Sequence, residues 1–295
     1  MEAVLPEPEV LHAAPHRPAT AYPTIKESWA SLGWFLLIMV LAAIPILLIF
    51  DRGVHHKSIV VSSVATVLGE IATIGFLLWY NRRRTQPMQL LGQVPRWIYI
   101  ALPVVAVAQI MLRSVLHYVH LPNWADNTFR QMEAQPVLAF LMIGISAPLL
   151  EEILFRGILL NGLLRNYRPW VAIGQSALLF GLFHLNPAQI VSAGIMGLLV
   201  GWLYYRTQSL LLCIVMHALN NLMALVGSLS SKAHSEQAPH EALGSWLAYG
   251  LVLLVSALLI IEFIRRVQRT TSPYVPETTP AGSLVQVQEP ADILC

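Results

Sequence analysis

Five charged residues lie deep in apolar segments of the chain: Glu70, Arg113, Glu151, Glu152 and Arg156. The last three fall within six positions, in the run Ala-Pro-Leu-Leu-Glu-Glu-Ile-Leu-Phe-Arg-Gly. A charge at the centre of a membrane helix costs about 2.5–3.5 kcal/mol on insertion scales, so three together need a compensating reason. Glu152 and Arg156, four apart, share a helix face and can pair. Glu151 points about 100° away, has no local partner, and is free to face a cavity. A carboxylate in an apolar, partly wet cavity suits general-base catalysis. The plainer reading is an ion-pair network that holds helices together.

Two further segments carry chemistry. One reads Phe180-Gly-Leu-Phe-His184 and another His217-Ala-Leu-Asn-Asn221. His217 and Asn221 share a helix face and could simply hydrogen-bond between helices. Phe180, one turn before His184, is placed to hold the imidazole. Glu151 is 14 residues from Arg165, His184 is 16 from Arg168 and His217 is 11 from Arg206. These separations correspond to roughly 16–24 Å of helix, so the three groups can lie on one shelf inside a membrane, as a shared site requires.

The elements that must position them are membrane helices. Of the 295 residues 56% are hydrophobic and 12% charged, with a mean hydropathy of +0.61. A soluble domain carries about 25% charged residues, so a soluble enzyme is excluded, and a net charge of +2 gives no reason to expect a nucleic-acid partner. Eight apolar segments follow one another at 32–50, 59–80, 97–119, 137–164, 170–185, 189–205, 209–227 and 245–264. A span needs about 20 residues. The fifth and sixth are short, so seven crossings remain an alternative to eight. No β-barrel alternation or internal repeat is visible. The expected fold is all-α and polytopic.

Lys and Arg set the orientation. Arg17, Lys26, Arg82, Arg83, Arg84, Arg96, Arg165, Arg168, Arg206, Arg265, Arg266 and Arg269 fall on one side. Only Arg52, Lys57, Arg130 and Lys232 fall on the other. Both termini are therefore expected in the cytoplasm. The proline-rich ends, 1–28 and 270–295, read as disordered tails. Cys213 reads as a small core residue. Cys295 is terminal and position 292 is Asp, so the chain is not itself a prenylation substrate.

Glu-Glu-x-x-x-Arg at 151–156, Phe-x-x-x-His at 180–184 and His-x-x-x-Asn at 217–221 together resemble the three signature motifs of the CPBP intramembrane proteases. That family comprises CAAX proteases and bacteriocin-processing enzymes, including the Ras-converting CAAX endopeptidase and bacterial abortive-infection proteins. The run Gly-Trp-Leu-Tyr-Tyr-Arg-Thr-Gln-Ser-Leu ahead of the last motif has a bacterial look, which suggests a bacterial inner membrane. The resemblance covers about 137–225, a catalytic core between three spans in 29–136 and a loop with a final span in 226–269.

The resemblance implies about eight helices around a cytosol-facing cavity, and an endopeptidase cutting near the cytoplasmic membrane face. It implies that Glu151 and His184 activate water, that His217 and Asn221 stabilise the oxyanion, and that Glu152, Arg156 and Phe180 organise the motifs. A metal-free mechanism is favoured, since no His-Glu-x-x-His helix occurs. If zinc took part, Glu151, His184 and His217 would be its ligands. The expected partners are the lipid bilayer and a peptide or membrane-protein substrate, prenylated in the best-known family members. Competing readings are a non-catalytic scaffold or bacteriocin-immunity factor of the same fold, and a transporter relaying protons through Glu70, Glu151 and the histidines. A Glu70–Arg113 pair is a further guess. His55, His56, His117 and His120 are read as loop or interface residues.

Overall fold

The computed structural model describes residues 20–50, 59–231 and 237–275. The outer parts of both tails, the loop holding Asp51, His55 and His56, and Cys295 lie outside the described residues.

Long apolar runs with no water to satisfy the backbone must bond internally, and the described residues form helices and no strand. These are α1 (Ile25–Phe50), α2 (Ile59–Tyr80), α3 (Arg96–Arg113), the short polar α4 (Asp126–Glu133), α5 (Pro136–Asn166), α6 (Pro169–Phe183), α7 (Pro187–Thr207), α8 (Leu210–Ser231) and α9 (Trp246–Thr270). Pro136, Pro169 and Pro187 open α5, α6 and α7, where a missing N–H costs nothing. Ser245 caps α9 by accepting from the Ala248 amide. The chain is a polytopic all-α membrane protein: among the described residues seven helices are long and apolar enough to cross a bilayer. Leu251, Leu254, Val255 and Leu258 of α9 are exposed, as a lipid-facing surface requires.

The fifth of the eight expected segments is α6, whose 15 residues span only about 22 Å, short of the ~30 Å hydrocarbon core. That shortness positions the site. Because α6 stops early, its last turn delivers His184 inside the bundle, followed by Leu185 at φ 52° and buried Asn186. Asn186 accepts from the Trp124 amide and donates to Asn123 and Gln189, so this non-helical stretch is tied down by protein. α7 then returns against α6. Gly181 and Gly197 let the two helices close up: a Cβ on Gly181 would strike the Ile190 carbonyl, and one on Gly197 would crowd Ala177 and Phe180.

α5 is 31 residues long and irregular where it matters. Wide π-helical turns at Phe140–Ser146 and Ile153–Leu160 flank the regular segment Ala147–Glu152. Pro148, which has no N–H to give, interrupts the bonding ladder at this junction. Single-turn π insertions gather at functional sites, and Glu151 and Glu152 close the regular segment between these two.

Both tails are ordered further than composition suggests. The expected tail to residue 28 is structured from Thr20. Tyr22 is 3% exposed, its hydroxyl 2.6 Å from Ser31 Oγ, and Asn166 Nδ2 donates to the Ala21 and Pro23 carbonyls. Arg84 clasps Glu27 at 2.6 and 3.1 Å. At the other terminus the Tyr274 amide donates to the Tyr205 carbonyl at 3.1 Å, and Arg165 lies over the Tyr274 ring. Buried Tyr22 and half-buried Tyr274 override proline content in these two places.

Candidate active site

A cavity of about 600 Å³ lies among α2, α4, α5, α7 and α8. Met132, Met142, Met196 and Leu225 make much of its wall apolar, and Glu70, Arg113, Glu151, His184, His217, Asn220 and Asn221 supply polar groups. The three sequence motifs meet here.

Glu152 and Arg156 form the ion pair expected from their spacing, with Nη1 2.7 Å from Oε1 and both side chains fully buried. A second partner was not visible in the sequence. His217 of α8 places Nδ1 2.8 Å from the same Glu152 oxygen. A carboxylate only accepts, so with Glu152 ionised beside Arg156 the His217 proton sits on Nδ1. Arg156 Nη2 also donates to the Gly197 carbonyl at 3.2 Å. One buried carboxylate thereby links α5 to α8, and its arginine links α5 to α7.

Phe180 is the common support. Its fully buried ring lies 4.6 Å under the Arg156 guanidinium. It meets His184 edge-on at 5.2 Å and His217 at 5.6 Å. The expected contact with His184 is present, together with a cation–π contact that ties the second motif to the first.

Glu151 faces the cavity. Its Oε2 is buried without a hydrogen-bond partner, 3.9 Å from His184 Nε2. His184 Nδ1 lies 2.9 Å from the Phe180 carbonyl. A carbonyl only accepts, so Nδ1 carries the proton and a neutral His184 offers the Nε2 lone pair to the cavity. A separation of 3.9 Å is too long for a direct hydrogen bond.

Asn221 lines the same cavity and donates Nδ2 to the Ile143 carbonyl at 3.0 Å, leaving its second amide proton for a ligand. Its neighbour Asn220 accepts from Arg113. Arg113 also reaches the Ser192 carbonyl at 3.3 Å and makes no ion pair with Glu70 among the described residues. Both residues line the cavity instead of pairing. Asn220, Ser192 and Gln189 are cavity residues that the sequence reading passed over. The doubled Asn220-Asn221 was their only signal.

Among the described residues no three His, Cys, Asp or Glu side chains gather closely enough to hold a metal ion. Glu151 and His184 stand 3.9 Å apart, but with His217 they do not form such a group. In this arrangement the three side chains do not make the zinc set expected as an alternative from sequence.

The cavity opens at one end of the bundle. It is lined by the starts of α2, α5 and α7 and the far halves of α8, with α4 along its rim. The basic loops lie at the opposite end. Cytoplasmic termini and a cytosol-facing cavity, both expected from sequence, are therefore mutually exclusive.

Residues 133–223, which hold all three motifs, match the family model described as Rce1-like, type II CAAX prenyl endopeptidase. No curated protein and no solved structure matches the chain. Over that stretch the chain is similar to the CAAX-protease type that its motifs resemble.

Proposed function

We propose that the protein is an intramembrane endopeptidase in which Glu151 and His184 activate a water within the cavity. The observation that carries this reading is the partnerless Glu151 Oε2 standing 3.9 Å from His184 Nε2 at the cavity wall. Glu151 takes a proton from the water, and its oxygen adds to the scissile carbonyl carbon. The resulting oxyanion is met by Asn221 Nδ2 and His217 Nε2. Since Nδ1 of His217 already donates to Glu152, Nε2 donates only when the ring carries both protons. The C–N bond then breaks, and the proton held by Glu151 passes to the leaving amine, with His184 orienting the transfer.

Glu152, Arg156 and Phe180 position this apparatus without touching substrate. The apolar wall of Met132, Met142, Met196 and Leu225 suits a hydrophobic peptide or a membrane-protein segment, with the bilayer as the surrounding partner. A prenylated tail is one member of that class. We place the protein in a bacterial inner membrane with both termini cytoplasmic, on the basic asymmetry of the loops.

The test is comparative proteomics of membranes from cells making the native protein or Glu151→Ala. A precursor that accumulates only with the variant supports the proposal. Identical peptide profiles with a folded variant contradict it.

A further inference from the structure

The end at which the cavity opens can be compared with the distribution of charge. Contacts assign the ends without ambiguity. At one end the Ala188 amide donates to the Pro122 carbonyl at 3.2 Å, Asn186 holds Asn123 and Trp124, Ser228 bonds Glu133, and Tyr118 bonds His240. This end therefore gathers the segments joining α3 to α5, α6 to α7 and α8 to α9, and the cavity opens here.

The opposite end is shut. Below Glu151 lies the fully buried Glu152–Arg156 pair, and beyond it Leu160, Leu163 and Tyr204 pack at 0–1% exposure. The segment between α2 and α3 lies across that end: the Leu210 and Leu211 amides donate to the Gln89 and Leu90 carbonyls, and Asn161 donates to the Pro87 carbonyl. Among the described residues these contacts pack this side.

The shut end is the basic end. Arg82, Arg83 and Arg84 follow α2, Arg165 and Arg168 separate α5 from α6, Arg206 ends α7, and α9 finishes with Arg265, Arg266 and Arg269. Among the described residues the open end holds Arg130, paired with Asp126 at 2.7 Å, and Arg113, which ends α3 and lines the cavity. The sequence adds only Arg52, Lys57 and Lys232 to that side. Lys and Arg in short loops are retained in the cytoplasm.

We infer that the cavity opens to the extracytoplasmic face, and that the substrate is a peptide segment presented there: an exported peptide or the outer end of a membrane span. The part concerning cleavage rests on the endopeptidase reading above. The part concerning access does not.

The test uses the full chain with Cys295→Ser, buried Cys213 left in place, and one new cysteine. Gln131→Cys on α4 and Gln93→Cys between α2 and α3 are exposed positions at the open and shut ends, outside the cavity lining. A membrane-impermeant maleimide is applied to right-side-out and inverted membrane vesicles. Gln131→Cys should label in right-side-out vesicles and lose that labelling on inversion, and Gln93→Cys should do the reverse. Asn127→Cys, exposed on the same helix, replaces Gln131→Cys if that variant fails to insert. Labelling of the open-end cysteine only in inverted vesicles, or equally in both, overturns the inference. No bond needs to be cut for this readout, so an inactive protein still reports its orientation. Repeating it in Glu151→Ala separates a failure of access from a failure of the catalytic reading.

Discussion

His217 Nδ1 donates to Glu152 Oε1 at 2.8 Å, so the histidine of α8 is held by the carboxylate next in sequence to the one facing the cavity. The two adjacent glutamates thereby divide their work. Glu152 Oε1 holds Arg156 and His217 and joins α5 to α8, while Arg156 joins α5 to α7. Glu151 lines the cavity, 3.9 Å from His184.

Removing Glu152 should damage the fold before it damages chemistry. Glu152→Ala leaves Arg156 buried without its partner and releases His217, an arrangement that costs about 3–5 kcal/mol. A markedly lower Tm in detergent, with reduced folded yield, is expected. Normal thermal stability would contradict the pairing argument.

The donors aimed at the oxyanion should behave differently. Asn221→Ala should lower kcat by about 10²–10³-fold with little change in Tm, since it surrenders one bond to the Ile143 carbonyl and a long one from Asn220. Rates of the folded variant on the accumulated precursor check this. An unchanged kcat removes Asn221 from the mechanism.

Phe180 supports Arg156, His184 and His217 at once. Phe180→Ala should cost about 3–5 kcal/mol as a large buried ring is lost. Phe180→Leu should retain more stability yet still lower kcat, because both imidazoles lose their edge-on support. Tm and kcat measured together distinguish the two effects.

Chelation should leave activity intact. Elemental analysis of purified protein is expected to show no stoichiometric zinc, because Glu151, His184 and His217 do not gather into a ligand set. Activity lost on chelation and restored by zinc would overturn the metal-free mechanism.

What the sequence made legible follows from cost. Charged and polar residues in apolar helices are expensive enough to be conspicuous, so Glu151, Glu152, Arg156, His184, His217 and Asn221 stood out, and four-residue spacing sufficed for the Glu152–Arg156 pair. Contacts between helices depend on rotations that spacing does not encode. The His217–Glu152 bond, the Arg113–Asn220 bond and the failure of Glu70 to meet Arg113 are of that kind. The early end of α6 looked like an ambiguity about span number. In the structure it carries His184 to the depth of Glu151. The anchored segments around Tyr22 and Tyr274 were hidden by the proline content of their neighbours.

The central claim is that Glu151 and His184 act on one water, and its most direct measurement is cleavage of the accumulated precursor by purified protein in lipid. Glu151→Gln, nearly the same in shape but a far weaker base, should insert, fold with a Tm close to that of the native protein, and lose cleavage. A Glu151→Gln protein that folds and cuts at the native rate would contradict the account.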